Sequence, residues 1–365
     1  MIAPRAVPRL EALATALPPH VVRQEDARAL VTALFEARLS EDDRRLLAVF
    51  ENAGIAERRV CMPLEWYGED HDFGERNDLY LRHALALAAE AAAGVLARAG
   101  LTPADVDHLV FVSSTGLATP SLDARLANAL PFRGDISRTP LWGLGCAGGA
   151  AGLARARDLA LAHPGSRVLL VALELCSLTF QRNEVTRRNL VATSLFSDGA
   201  AAALVVGAEA PPAAAASRPA LEILAARSTL WRDTLDVMGW EVDASGLHVV
   251  FSRDIPTIVR DWVRPNLESF LAAQGLSLAA LEHLVAHPGG PKVLAAYAAA
   301  LGLEPSALRH AAAVLSVCGN MSSPTCLFVL ERTLAAGDIR AGQHAVLAAL
   351  GPGFSSELVL LRGLA

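Results

Sequence analysis

The second half of the chain repeats the first, and this internal repeat limits the possible folds more than any other feature of the sequence. Three pairs of segments correspond in order and nearly in spacing: LTPADVDHLV (101–110) with LSLAALEHLV (276–285), Gly145–Cys146 with Gly319–Asn320, and RVLLVAL (167–173) with HAVLAAL (344–350). A chance match between Ala- and Leu-rich segments is the alternative, but three matches in one order favour duplication. We therefore predict two duplicated halves, 1–210 and 211–365.

Duplication has a geometric consequence for Cys146 and Asn320. Each residue follows a glycine and opens an apolar segment with helical spacing, AGGAAGLARARDLALA in the first half and MSSPTCLFVLERTLAA in the second. A pseudo-twofold axis that relates the halves would bring the two helix starts together. We therefore expect Cys146 and Asn320 to approach the same place.

The order of the predicted elements indicates an α/β protein. Residues 76–100 are rich in strong helix formers and predict a long helix, whereas 106–114, 166–175 and 199–207 are short apolar runs that predict strands. Helices that alternate with continuous apolar strands are typical of a sheet covered on both faces. With 365 residues the chain is too long for one simple core and suits two packed halves.

Charge, hydropathy and cysteine usage argue against several classes of protein. The net charge of −6 argues against general nucleic-acid binding, which needs a basic face. No run of about 18 apolar residues lacks charge or glycine, so we predict no membrane span, and the N-terminus lacks the apolar core of a signal peptide. The five cysteines form no CxxC pair and no Cys/His cluster with zinc spacing. We therefore expect a cytoplasmic protein with free thiols.

Cys146 stands where a helix is predicted to begin, within GLGCAGG. The start of a helix presents unpaired N–H groups and a positive partial charge, both of which stabilise a thiolate. The flanking glycines let backbone and substrate come close, with tight packing alone as the alternative reason for them. Cys176, Cys318 and Cys326 lie in or beside apolar segments, where cysteine usually serves as a small apolar residue. Cys146 is therefore the candidate nucleophile.

Two further residues complete a candidate acyl-transfer site. His287 ends an apolar strand before a Pro-Gly-Gly-Pro loop, a setting that favours a general base over a structural histidine. A helix cap is the alternative role for Asn320, but an amide N–H beside a histidine also stabilises an oxyanion. We expect Cys146 to attack a thioester after activation by His287, and His287 and Asn320 to steady an enolate. This chemistry needs neither a metal nor a bound organic cofactor.

Five motifs in one order carry a resemblance to a known family. They are GLGCAGGAAG (143–152), LFSDGAAAALVVG (195–207), AHPGGPKVL (286–294), GNMSSPT (319–325) and GPGFSSELVLLR (351–362). Together they resemble the type III polyketide synthases, the chalcone-synthase-like group, over nearly the whole chain, most weakly at its N-terminal part. The resemblance implies a homodimer with the thiolase fold, in which two duplicated halves form five layers, α-β-α-β-α.

The resemblance also implies roles for the three candidate residues. In this family a cysteine carries the acyl chain, and a histidine and an asparagine promote decarboxylation of malonyl-CoA; the matching positions are Cys146, His287 and Asn320. The resulting enolate attacks the thioester, and repeated extension followed by ring closure gives a pyrone or a phenol. The implied substrates are acyl-CoA and malonyl-CoA, with no carrier protein and no cofactor.

Other positions match the substrate-binding parts of the family but differ in residue type. Phe196 matches one of two gatekeeper phenylalanines, whereas the second falls at Val249, which implies a wider cavity than in plant enzymes. Thr119 stands where plant enzymes place a methionine that reaches into the partner subunit. Ser322, in GNMSSPT, and Gly353, in the C-terminal GPGF, complete the implied substrate-binding set.

The basic residues that meet the CoA phosphates in plant enzymes have no clean match in this chain. Arg44, Arg45, Arg58 and Arg59 are only neighbours of those positions. A solvated charged face is the alternative for each of the four.

Residues 174–201 resemble the bacterial alkylpyrone and alkylresorcinol synthases more than the plant chalcone synthases. Cys176 replaces a plant threonine, and with Thr115 it occupies positions that line an acyl tunnel in long-chain bacterial members. An apolar tunnel gains about 0.8 kcal/mol for each buried methylene. The hypothesis is therefore a medium- to long-chain fatty acyl-CoA starter, with packing variation that has no bearing on the substrate as the alternative.

Two other functions use the same fold. A ketoacyl synthase III-like enzyme also employs Cys, His and Asn but performs a single condensation, and its histidine motif lacks the HPGGP form. A catalytically silent binding protein is the second alternative, and retention of Cys146, His287 and Asn320 argues against it.

Overall fold

The computed structural model of the protein describes residues 7–38, 45–212, 221–252 and 254–364. Within these ranges the strands are β1 (Arg9–Ala16), β2 (His20–Arg23), β3 (Glu57–Val60), β4 (His108–Val112), β5 (Ser137–Leu141), β6 (Arg167–Leu175), β7 (Asp198–Val206), β8 (Leu221–Leu230), β9 (Met238–Asp243), β10 (Gly246–Phe251), β11 (His283–Ala286), β12 (His344–Gly351) and β13 (Ser355–Gly363). The helices are α1 (Gln24–Phe35), α2 (Ala48–Glu51), α3 (Phe73–Ala99), α4 (Leu122–Ala129), α5 (Gly148–Ala162), α6 (Arg187–Leu195), α7 (Ile255–Ala272), α8 (Pro291–Leu301), α9 (Arg309–Cys318) and α10 (Thr325–Ala335).

Nine strands form one mixed sheet in the order β11-β12-β13-β8-β1-β7-β6-β4-β5. β4 runs parallel to β5 and β6, and β11 runs parallel to β12, whereas the strands between them pair antiparallel. The sequence β4-β6-β7-β1 of the first half therefore corresponds to β11-β12-β13-β8 of the second. The repeated segments lie on β4 and β11 and on β6 and β12, as the internal repeat predicts.

The side chains of β4 alternate between the two faces of the sheet, because successive residues of a strand point in opposite directions. Val110 and Val112 join a core cluster that includes α5, whereas Leu109 and Phe111 join a second cluster that includes α3. The strand is thus buried on both sides, and this explains why its sequence is a continuous apolar run.

The first-half and second-half strands, which are joined only by the short pairing of β1 with β8, form two layers, and the helices bring the number of layers to five. α5 and α10 contact each other and strands of both halves, so they form the central layer. α3 covers the first-half strands from outside, through contacts with β1, β6 and β7. On the other side α7 and α8 pack together and share a core cluster with the second-half strands. The predicted α-β-α-β-α arrangement is confirmed.

α3 is the element that bears on the prediction of no membrane span. Its N-cap Asp72 accepts a hydrogen bond from the N–H of Glu75, and it ends at Gly100, which has a φ of 68°. Among the described residues α3 alone is long and apolar enough, by length and composition, to cross a bilayer. However, half of its 18-residue apolar stretch is buried in the protein. Its alanine-rich face packs on the sheet, which accounts for its hydropathy as an outer-layer helix.

Two small antiparallel sheets lie outside the large one, β2 with β3 and β9 with β10. The β9–β10 hairpin (238–251) matters for the site, because β10 contacts α6 and the 3-10 turn Cys176–Thr179. Val249 on β10 lies opposite Trp240 on β9.

Candidate active site

Cys146 lies in a 3-10 turn, Gly145–Ala147, that leads directly into α5. Gly145 has a φ of 46°, and a Cβ added to it would lie 2.9 Å from Cδ of Pro352. A Cβ added to Gly149 would lie 2.2 Å from the carbonyl oxygen of Ser323. The glycines of GLGCAGG therefore let the cysteine turn pack directly against two loops of the second half.

The thiol of Cys146 is enclosed by residues of both halves. Only 6% of Cys146 is exposed, and the side chains of Ser322 and Asn320, both from the second half, lie close enough to its thiol to favour the ionised form by hydrogen bonding. Burial raises the pKa of the thiol to about 11; the two hydrogen bonds lower it, and the charge of Glu174 raises it. Burial thus opposes the stabilisation of a thiolate that the helix start predicts. A base has to remove the proton.

Asn320 reaches Cys146 from the second half, as the internal repeat predicts. Its backbone N–H donates to the carbonyl of Leu195, and its side-chain Oδ1 accepts the N–H of Ser322 at 2.8 Å. This bond orients the amide, so that its NH2 group remains to act as a donor. α10 begins only at Thr325 and has no side-chain cap. Asn320 therefore does not cap α10, which was the alternative role for this residue.

His287 follows β11, and its backbone N–H donates to the carbonyl of Ala348 at 2.8 Å. The residue is 4% exposed, yet neither ring nitrogen has a hydrogen-bond partner among the described residues. Burial lowers the pKa of the imidazole to about 4, so the ring is neutral near pH 7. A buried neutral imidazole with two unpartnered nitrogens is suited to accept a proton from, or donate one to, a bound molecule.

Glu174 is a buried acid beside Cys146 that the sequence patterns did not single out. It is 0% exposed and accepts hydrogen bonds from the N–H of Ser114, Oγ1 of Thr115 and Oγ of Ser323, each at 2.8 Å. Burial raises the pKa of Glu174 to about 7 despite these bonds. The available signal was a glutamate at the end of a continuous apolar strand, in VALELC.

Phe196, Val249 and Cys176 pack together in one small cluster, as expected for positions of one cavity wall. Their exposed fractions are 9%, 7% and 2%. The rings of Trp240 and Phe251 also join this cluster, with centroids 6.2 and 5.6 Å from that of Phe196. Two aromatic rings of the hairpin therefore lie beside Phe196 in the cluster that contains Val249.

Thr115 lies on the wall of a small, partly open pocket. The other lining residues are Phe73, Arg76, Asn77, Leu178, Thr179 and Leu247. Oγ1 of Thr115 donates to Glu174 and accepts the N–H of Leu175 at 2.9 Å. Thr115 therefore connects this pocket with the hydrogen-bond network beside Cys146.

Two predicted positions lie at the edge of the site. Thr119 is exposed, in an X-Pro turn with a cis peptide bond to Pro120. Gly353 has a φ of 122°, and its carbonyl accepts a hydrogen bond from Thr234 at 2.9 Å. The loop before it packs under the cysteine turn, since a Cβ on Gly351 would lie 2.6 Å from that of Ala147.

Arg58 does not face solvent. It is 4% exposed and donates to the carbonyls of Ser194 at 2.9 Å and Phe196 at 3.0 Å, and to the side chain of Gln24. Burial lowers its pKa to about 10. This burial does not fit a contact with the CoA phosphates, and it does not fit a solvated charged face. The hydrogen bonds of Arg58 instead stabilise the C-terminal end of α6.

The remaining arginines differ from Arg58. Arg59 is half-buried, and its charge acts on the thiol of Cys318. Arg45 is exposed, and Arg44 lies outside the described residues.

Comparison with known proteins agrees with the resemblance seen in the motifs. The family model for the N-terminal domain of chalcone and stilbene synthases matches residues 3–210, and the model for the C-terminal domain matches residues 222–365. A putative chalcone synthase from Bacillus subtilis is 43% identical, over 95% of this chain and 96% of its own length. A 1,3,6,8-tetrahydroxynaphthalene synthase from Streptomyces peucetius subsp. caesius is 44% identical, over 96% of this chain and 92% of its own length.

Solved structures show the same relationship. The crystal structure of 1,3,6,8-tetrahydroxynaphthalene synthase from Streptomyces coelicolor A3(2), a bacterial type III polyketide synthase, has a TM-score of 0.91 and 29% identity, over 98% of this chain and 99% of that one. A fungal type III polyketide synthase has a TM-score of 0.87 and 26% identity, over 98% and 99% of the two chains. The ketoacyl synthase III and silent-protein alternatives find no support here. The chain belongs to the chalcone and stilbene synthase family and is a type III polyketide synthase.

Proposed function

We propose that Cys146, His287 and Asn320 are the catalytic residues of this synthase. The observation that carries the proposal is the meeting of Cys146 with the Asn320 side chain of the other half, together with a buried His287 whose ring nitrogens have no protein partner. The raised pKa of the Cys146 thiol calls for a base, and the lowered pKa of His287 keeps that base unprotonated near pH 7.

The chemistry starts with loading of the starter. His287 accepts the proton of Cys146 as the sulfur attacks the thioester carbonyl of an acyl-CoA; CoA thiolate leaves and takes the proton. The products are the acylated Cys146 and free CoA. His287 returns to its neutral form, and the site is ready for the extender.

Extension begins when malonyl-CoA loses CO2 and leaves an enolate of the thioester. The amide N–H of Asn320 and a ring N–H of His287 donate hydrogen bonds to the enolate oxygen. The enolate carbon then attacks the acyl carbonyl on Cys146, the thiolate of Cys146 leaves, and a β-ketoacyl-CoA longer by two carbons is formed. The steps are acyl and proton transfers made by side chains, and we propose that no metal or organic cofactor takes part.

For the starter we propose a medium- to long-chain fatty acyl-CoA, with an alkylpyrone or alkylresorcinol-type product. Cys176 is a small buried residue beside Phe196 and Val249, and Thr115 connects the site to the small pocket that it lines. Leu178 and Leu247 give that pocket apolar walls. Each methylene buried there contributes about 0.8 kcal/mol, so affinity should rise with chain length until the pocket is full.

A second candidate is synthesis of 1,3,6,8-tetrahydroxynaphthalene from malonyl-CoA alone. The 44% identity to a synthase of that name favours it, as do the rings of Trp240 and Phe251 beside Phe196, which leave less room for an alkyl tail. The ten carbons of this product equal five two-carbon units and include no alkyl tail.

One experiment separates the two candidates. The pure enzyme is given malonyl-CoA alone and malonyl-CoA with acetyl-, hexanoyl-, decanoyl- and hexadecanoyl-CoA, and products are identified by mass. Alkylated products that dominate with the longer starters support the fatty acyl proposal. A naphthalene product from malonyl-CoA alone, unchanged by added acyl-CoA, would replace it.

We further propose a cytoplasmic homodimer. Thr119 is exposed, and nearby Leu117 and Trp142 expose 43% and 52% of their surface beside the edge strand β5. All five cysteines are free and buried, which suits a reducing compartment. Light scattering of the protein as it elutes from a size-exclusion column measures its mass in solution. A monomeric mass would contradict the proposed dimer.

A further inference from the structure

β3 is a short strand that supports two segments of the candidate active site. It pairs with β2 in a two-stranded sheet outside the nine-stranded one. It also contacts α9, the helix that ends at Cys318, two residues before Asn320. The loop before β3 is bonded to α9, because the N–H of Ala56 donates to the carbonyl of Ser316 at 2.8 Å. β3 therefore lies against the part of the chain that leads into Asn320.

The second segment runs from Ser194, in the last turn of α6, to Asp198, the first residue of β7. Arg58 of β3 donates to the carbonyls of Ser194 and Phe196. The N–H of Cys61, which directly follows β3, donates to Oδ2 of Asp198 at 2.8 Å. The segment 194–198 is thus bonded to β3 at both of its ends.

Ser197 makes a further attachment between these ends. Its Oγ donates to the carbonyl of Arg59 at 2.8 Å and accepts the N–H of the same residue at 3.2 Å. One hydroxyl therefore pairs with both main-chain groups of Arg59, as a neighbouring strand would. Ser197 is 0% exposed, so these bonds are shielded from bulk solvent.

The main chain of Ser197 holds Asn320. The N–H of Ser197 donates to the carbonyl of Asn320, and the N–H of Asn320 donates to the carbonyl of Leu195, both at 2.9 Å. The two segments thus form a short parallel β-bridge. Gly319 has a φ of 71°, and a Cβ added to it would lie 2.9 Å from Cβ of Ser197. This close approach explains why glycine precedes the asparagine.

Ser197 therefore connects Asn320 to β3 through two kinds of bond. Its hydroxyl bonds to β3, and its main chain bonds to Asn320. A catalytic group that is misplaced by about 1 Å costs about 100-fold in rate. A donor to an enolate oxygen is sensitive in this way, because hydrogen bonds weaken steeply as their geometry worsens. Loss of the Ser197 hydroxyl should therefore impair the work of the Asn320 amide.

We propose that Ser197 is a positioning residue, whose hydroxyl anchors Asn320 to β3 and so holds the Asn320 amide at the enolate oxygen during decarboxylation. The inference rests on the proposed function, in which that amide stabilises the enolate. Loading of Cys146 uses His287 as its base. Ser197 should therefore matter for decarboxylation and much less for loading.

Amide hydrogen exchange tests the anchoring without reference to activity. Ser197→Ala removes the hydroxyl with a small change in volume. We expect exchange of peptides covering 316–322 to rise by roughly three- to tenfold, although none of their residues is changed. Exchange in α3 is the internal reference and should stay as in the wild type. Unchanged exchange of 316–322, or exchange that rises by the same factor in α3, would overturn the inference.

Ser194→Ala is the matched control. Ser194 is also 0% exposed, but its Oγ donates to the carbonyl of Val191 within α6, at 2.8 Å, and not to β3. This variant should leave the exchange of 316–322 and the release of CO2 from malonyl-CoA unchanged. Equal effects of Ser194→Ala and Ser197→Ala would mean that any lost buried hydroxyl acts in this way, which contradicts a specific role for Ser197.

The functional readout compares release of CO2 from malonyl-CoA with acylation of Cys146 by labelled acyl-CoA. In Ser197→Ala the kcat for CO2 release should fall by roughly tenfold, with little change in KM or in the rate of acylation. A general loss of folded protein would lower both activities by the same factor. That outcome would also overturn the inference.

A double-mutant cycle then shows whether Ser197 acts through Asn320. In the Asn320→Ala background the amide is already absent, so Ser197→Ala should slow CO2 release little further. A further loss of about tenfold would mean that Ser197 acts independently, against the inference. Failure of the proposed function is a separate result, namely CO2 release at the wild-type rate in Asn320→Ala. The exchange data would still report whether Ser197 anchors the segment that contains Asn320.

Discussion

Oγ of Ser323 donates a hydrogen bond to Oε1 of Glu174 at 2.8 Å and joins the two halves of the protein beside Cys146. The other oxygen of Glu174 accepts hydrogen bonds from Ser114 and Thr115, so the carboxylate is held from both halves. Its charge raises the pKa of the Cys146 thiol. A fully buried acid therefore acts on the reactivity of the nucleophile, although the two side chains share no hydrogen bond in the structure.

Glu174→Gln should make Cys146 more reactive toward alkylation. The substitution removes a negative charge that opposes the thiolate, so the pKa of Cys146 should fall. The rate of iodoacetamide modification at Cys146, followed by peptide mass spectrometry across pH, measures this shift. Glu357→Gln is a suitable control, since Glu357 is also buried and its pKa is also raised by burial. If the pH profile of Cys146 modification shifted equally in Glu174→Gln and Glu357→Gln, the prediction would be contradicted.

The same residue should make stability depend on pH. The pKa of Glu174 rises from 4.5 to about 7 on folding, so the folded protein binds its proton more tightly. Its contribution to the free energy of unfolding is complete below about pH 4.5 and is lost as pH rises through 7, by about 3 kcal/mol. Urea denaturation at pH 5 and 8 should show Glu174→Gln gaining stability relative to wild type at the higher pH. The buried groups Asp198 and His287 also titrate, but both proteins contain them and the comparison cancels them.

Arg58 should matter for stability and not for CoA binding. Arg58→Ala leaves the carbonyl of Phe196 without its side-chain donor and the carbonyl of Ser194 with Gln24 alone, and an unsatisfied buried acceptor costs about 1–3 kcal/mol. We expect a lowered Tm, while the KM for malonyl-CoA in the folded fraction stays unchanged. Arg59→Ala, with a half-buried side chain, should lower Tm less. A raised KM at a normal Tm would show instead that Arg58 serves the CoA phosphates.

The sequence correctly predicted those features that follow from the order of segments along the chain, namely the repeat and the positions of several strands. The internal repeat correctly placed Asn320 against Cys146, and the apolar runs correctly located β4, β6 and β7. The repeat could not show that burial would raise the pKa of Cys146, because desolvation depends on atoms from distant segments.

Glu174 was missed, and the burial of Arg58 was not foreseen, for a related reason. Each looks like an ordinary charged residue in the sequence, and only the fold encloses it and supplies its partners. The family resemblance paired Val249 with Phe196, but the β9–β10 hairpin that carries Val249 was not predicted, nor were the contacts of Trp240 and Phe251 with Phe196.

Substitutions at the proposed catalytic residues should separate loading from decarboxylation. Cys146→Ala removes the acyl acceptor, so labelled acyl-CoA should leave no label on the protein, while some CO2 release from malonyl-CoA persists. Asn320→Ala should reduce CO2 release by roughly 100- to 1000-fold, because one donor to the enolate is lost. Decarboxylation at the wild-type rate in Asn320→Ala would refute that role.

Val249→Phe should shorten the preferred starter. Val249 is 7% exposed and packs with Cys176 and Phe196, so a ring at this position fills part of the path that an acyl chain would occupy. We expect kcat/KM for tetradecanoyl-CoA to fall by about tenfold relative to acetyl-CoA, with a loss of about 1–3 kcal/mol in stability from the larger side chain. Val250→Phe places the same ring on the opposite face of β10 and should leave the ratio unchanged. Equal losses for short and long starters in Val249→Phe would mean that the ring disturbs the fold and not the path.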